Sequence, residues 1–78
     1  MLSKELKIYL YNSIIDAIKL KKDCKNKYNE TFASGLLCGY QSAFIGDTKA
    51  FMYVYNAINE LDIDAIVSLL WYDCDVRA

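Results

Sequence analysis

The side chains with reactive chemistry in this chain are three cysteines and ten carboxylates, and there is no histidine. Histidine's absence removes the usual general base near neutral pH. Cys24, Cys38 and Cys74 stand 14 and 36 residues apart. That spacing fits no zinc site, and no histidine could complete one. A cysteine nucleophile needs a neighbouring base or cation to lower its pKa. Cys24, set among lysines, comes nearest, and it is read as an inert exposed thiol. Two Asp-x-Asp pairs, Asp62 with Asp64 and Asp73 with Asp75, have the residue types that hold a divalent ion through phosphates. The first pair falls where a helix cap belongs and the second in a polar chain end, so neither is read as a metal site. Gly35, Gly39 and Gly46 do not form a phosphate-binding loop. The expectation is a protein that is not an enzyme and carries no metal or cofactor.

The remaining chemistry is that of binding. Seven tyrosines are present, and helical spacing puts Tyr9 and Tyr53 on the polar sides of their segments. Met52 shares an outer face with Asn56 and Asn59. Tyrosine and methionine supply large, adaptable contact area at protein interfaces. Trp71 and Tyr72 are adjacent, so one is expected to close the core while the other stays outside. Gly35, Gly39 and Ala43 recur every four residues and make a side-chain-free helix face, with Ser42 beside it. Such a face lets another helix approach closely, and packing inside the domain is preferred to a helix of a second subunit. The expected protein interface is therefore Tyr9, Gly35, Gly39, Met52, Tyr53, Trp71 and Tyr72.

A different binding reading rests on Lys19, Lys21, Lys22, Lys25 and Lys27, next to Tyr28. Lysines on phosphates and a ring against a base would suit nucleic acid. Asp23 interrupts the group and no arginine takes part, so a solvated helix end is preferred. A helix-turn-helix would have to read bases with Tyr40 to Ile45, which holds no basic residue. A nucleic-acid-binding regulator using residues 19–27 stays as the alternative.

These residues need elements to hold them, and apolar spacing points to helices. The chain has no proline and only three glycines, few turn residues for a strand-rich domain. The first helix is expected from Ser3, with Leu6, Leu10, Ile14, Ala17 and Ile18 on its buried stripe. The second should begin after Asn29 and run to Ile45, with Gly46 in the left-handed position beyond it. Asp47 or Thr48 caps a third helix carrying Phe51, Val54, Ile58 and Leu61. Asp62 caps a fourth carrying Ile63, Ile66, Val67, Leu70 and Trp71. The chain end from Asp73 to Ala78 is polar and expected to fray. The fold class is all-α, a bundle of three to four short helices in one domain. The alternative is α+β, with short strands at 51–55 and 66–72, both rich in aromatic or β-branched residues.

At 78 residues the chain has room for one core. Hydrophobic residues make up 55% of it, enough to leave apolar groups outside a monomer's core and to favour a homodimer or another protein partner. Net charge is −1, which disfavours simple electrostatic binding to nucleic acid or anionic membranes. The charge is uneven: residues 1–30 hold seven lysines against four carboxylates, and residues 31–78 hold Lys49 and Arg77 against six. Opposite ends of that kind suit head-to-tail self-association or a basic partner. Lys4, Glu5 and Lys7 break the first apolar stretch, and no run approaches the roughly 20 residues of a membrane span. Reduced thiols in a cytoplasmic protein are expected.

In its small size, its Lys-, Ile-, Asn- and Tyr-rich usage, and its Gly-x-x-x-Gly helix followed by a second amphipathic helix, the chain resembles the small proteins of phages and mobile elements. That resemblance implies a stoichiometric binder: a transcription regulator, an anti-repressor, or an inhibitor of host defence of the anti-CRISPR kind.

Overall fold

The computed structural model describes residues 2–23 and 25–75. Cys24 and the last three residues of the expected polar tail lie outside the described residues. Four helices follow in order: α1 (Lys4–Asp23), α2 (Lys27–Ser42), α3 (Thr48–Asn59) and α4 (Ile63–Cys74). No strand occurs among the described residues, so 51–55 and 66–72 are helical. The caps explain this outcome. Asp47 accepts a hydrogen bond from the Ala50 amide at 3.3 Å and Asp62 one from the Ala65 amide at 3.1 Å. Each satisfies an amide that a helix start would otherwise leave unpaired.

α1 is the hub, packing most extensively against α2 and α4, while α3 touches α2 and α4 more lightly. Packing on two sides widens the buried arc of α1 beyond a single stripe. Tyr11 and Ile15 join Leu10, Ile14, Ala17 and Ile18 inside. Leu6, expected on that stripe, is 43% exposed, because it lies at the edge of the shifted arc. Tyr11, Ile14, Ile18, Leu37, Phe44, Val54, Ile66 and Cys74 are the largest fully buried side chains.

α2 starts earlier and stops sooner than its spacing predicts. Asn26 is the cap, accepting from the Asn29 amide at 2.8 Å, so Asn29 is already helical. At the other end the Ala43, Phe44 and Ile45 amides donate to the carbonyls three residues back. This tightening ends the helix and swings Phe44 into the core, where it stacks on Tyr11 with ring centroids 5.1 Å apart. Ile45 is left outside.

Gly46 is not left-handed. Among the described residues positive φ belongs to Leu61 and Asp75. Leu61 makes the α3–α4 turn: its amide donates to the Ile58 carbonyl and the Asp62 amide to the Ala57 carbonyl. That is the paired closure normally given to glycine. Leu61 packs partly buried against the core, and this contact offsets the roughly 1–2 kcal/mol of an αL leucine. Asp73 and Cys74 belong to α4, where Cys74 is fully buried. No helix among the described residues is long and apolar enough to cross a membrane.

Candidate functional site

α3 and α4 form an antiparallel hairpin whose outer seam is open. Along it lie two neighbouring clefts of about 500 and 220 Å³, both lined by Tyr53. The larger runs from the start of α3, at Asp47, Lys49 and Ala50, to the end of α4, at Ser68, Leu69, Tyr72 and Asp73. The smaller continues toward the turn past Asn56, Ala57, Glu60, Asp62 and Ala65. Helical periodicity accounts for the grouping. Lys49, Tyr53 and Asn56 share one face of α3, which Glu60 continues at the C-cap, and Ala65, Ser68, Leu69 and Tyr72 share one face of α4.

Burial divides this lining into floor and walls. Ala57 is buried, and Ala50, Ala65, Ser68 and Leu69 are half-buried. All but Leu69 are small, so the seam is shallow in side chains and the two backbones are approachable. Tyr53 and Tyr72 stand exposed above it, Tyr72 at 87%. Trp71 stacks on Tyr72 with ring centroids 6.5 Å apart. Trp71 is itself exposed, contrary to the expectation that one of the pair closes the core. Leu70 and Cys74 take the inward positions instead.

Of the residues singled out by sequence, Tyr53 and Tyr72 meet in this cleft and Trp71 adjoins it. Tyr9 and Met52 are exposed but do not line it. Gly35 and Gly39 are elsewhere, on an exposed face of α2. A Cβ at either would meet nothing within 4 Å, so the close internal packing that the spacing allows does not occur. Lys19, Lys22, Lys25, Lys27 and Tyr28 are exposed around the α1–α2 corner, with Lys21 half-buried.

The small floor went unread in the sequence. Alanines and a serine at the boundary of burial register neither as stripe nor as polar face. The available signal was the seven-residue spacing of Ala50 and Ala57 opposite Ala65 and Ser68.

One polar network braces the larger cleft. The Tyr11 hydroxyl donates to Asp73 at 2.8 Å, and Lys7 Nζ lies 3.4 Å from the same carboxylate. Burial, then the hydrogen bond to Asp73, pushes the Tyr11 phenol well above its ordinary value. Burial, then the Asp73 charge, also raises the Cys74 thiol. Both groups are held protonated, which suits a structural brace and not a nucleophile. Among the described residues no group of three or more cysteines or carboxylates is clustered to hold a metal.

The fold and site define an all-α four-helix bundle with an open, tyrosine-walled seam. Compared with protein-family models, curated proteins and solved structures, the chain matches none.

Proposed function

We propose that this chain is a protein-interaction module, acting as a regulator or stoichiometric inhibitor of a larger protein. The carrying observation is the α3/α4 cleft, walled by Tyr53 and Tyr72 and floored by small side chains. Exposed tyrosines beside a shallow apolar floor supply contact area at little entropic cost. The solvent-facing apolar groups Tyr9, Phe32, Ile45 and Met52 extend the surface available to partners. The resemblance in type to small phage and mobile-element proteins directs the search toward host regulators and defence proteins in the cytoplasm. Self-association through the open glycine face of α2 belongs to the same reading.

The test is a tagged capture from native cells, with and without nuclease, compared with Tyr53→Ala and Tyr72→Ala variants. A single stoichiometric protein that survives nuclease and is lost from the variants is the expected result. Partners that vanish with nuclease, and with Lys22→Ala and Lys25→Ala, would move the function to the lysine corner and nucleic acid.

A further inference from the structure

We propose that the α3/α4 cleft takes a basic amphipathic helix from a partner protein, an assignment that rests on the protein-interaction reading above. Three properties of the seam select that occupant. The first is length and shape. α3 has 12 residues, so the seam runs for about 18 Å, the length of three helical turns. A seam between two antiparallel helices is the shape into which a third helix packs by ridges and grooves.

The second property is the floor. Ala50, Ala57, Ala65 and Ser68 leave room for the larger aliphatic side chains of an incoming helix, and Leu69 gives them apolar contact. Tyr53 and Tyr72 then close on either side.

The third property is charge. Asp47 and Asp73 stand at one end of the seam and Glu60 and Asp62 at the other, while Lys49 is the cation in the lining. Lys7 offsets part of the Asp73 charge. Lys7 and Lys49 together balance Asp47 and Asp73, so the excess negative charge lies at the Glu60 and Asp62 end, and the complementary helix carries lysine or arginine at the end that docks there and aliphatic residues along the rest.

The test uses the full ¹⁵N-labelled chain and a synthetic amphipathic peptide of about 14 residues, leucine along one face and lysine clustered at one end. A twin carries glutamate for lysine. The lysine peptide should shift the amides of Ala50, Tyr53, Ala57, Ala65 and Ser68. The glutamate twin should bind about tenfold or more weakly, as like charges require. Ala65→Trp fills the floor and Glu60→Lys neutralises the acidic end, and each should weaken the lysine peptide while the remaining spectrum stays native.

Equal binding of both peptides would overturn the charge assignment. Shifts confined to α2 or to the α1–α2 corner, or no binding, would overturn the site. Groove shifts that grow with protein concentration before any peptide is added would make a second copy the occupant and also overturn it. The cellular capture above stands apart from these outcomes: a Tyr53-dependent protein partner with no basic helix would refute this occupant and leave the interaction reading intact.

Discussion

Tyr11 and Asp73 lie 62 residues apart in sequence and 2.8 Å apart in the fold. Their bond joins the first turns of α1 to the last turn of α4. Asp73→Ala would leave a fully buried tyrosine without its acceptor, and the expected cost is about 2 kcal/mol in urea unfolding. Tyr11→Phe keeps the ring on Phe44 and leaves Asp73 with Lys7, so it should cost about 1 kcal/mol. A loss equal to that of Asp73→Ala would contradict the assignment of the hydroxyl as the group left stranded. The same residues set an alkaline limit. Cys74 and Tyr11 have native pKa values raised from the ordinary 9.0 and 10.0. The unfolded chain loses these protons first as pH rises, so it binds fewer protons than the native state. Stability is therefore flat through neutral pH and falls above about pH 9, by about 1.4 kcal/mol per unit for each group still held protonated. Urea midpoints measured from pH 7 to 11 check this, and Tyr11→Phe should flatten the slope above pH 10. An unchanged slope would place the alkaline loss elsewhere.

The helices differ in how openly the sequence declares them. α3 and α4 announce themselves, because Asp47 and Asp62 cap stretches with regular apolar spacing. α2 does not, because Asn26 and Asn29 are equally good caps three residues apart, and only the core's demand for Phe44 fixes where the helix ends. The arc of α1 was illegible for a related reason: its burial is decided by two neighbours, and sequence spacing records only one stripe. The cleft was half legible. Tyr53 stands out as an aromatic on a polar face and Tyr72 only as one of an adjacent pair with Trp71, whereas the floor depends on which small residues two separate helices bring face to face. The glycines of α2 are the clearest case of a pattern whose use only the fold decides. Gly35 sits in mid-helix and Gly39 opens the last turn of α2, neither has positive φ, and added methyl groups meet open space. Gly35→Ala and Gly39→Ala should each raise stability by about 1 kcal/mol through helix propensity alone. Loss of stability in the monomer would show that the face is covered within the chain. A gain in stability together with a lost dimer in sedimentation would assign the face to self-association.

The bundle as a whole separates its two charged regions, with lysines around the α1–α2 corner and carboxylates along the α3/α4 hairpin. Its core is closed around α1, while its α3 side is lightly packed and keeps a tyrosine-walled seam on the outside. The proposed binding face and the closed core thus fall on different sides of one small molecule. The most direct measurement is photo-cross-linking in native cells from a benzophenone amino acid placed singly at Tyr53, Tyr72 or Lys22. The account predicts one protein adduct, the same from Tyr53 and Tyr72, unaffected by nuclease and absent from Lys22. Nucleic-acid adducts from Lys22 with none from either tyrosine would contradict it.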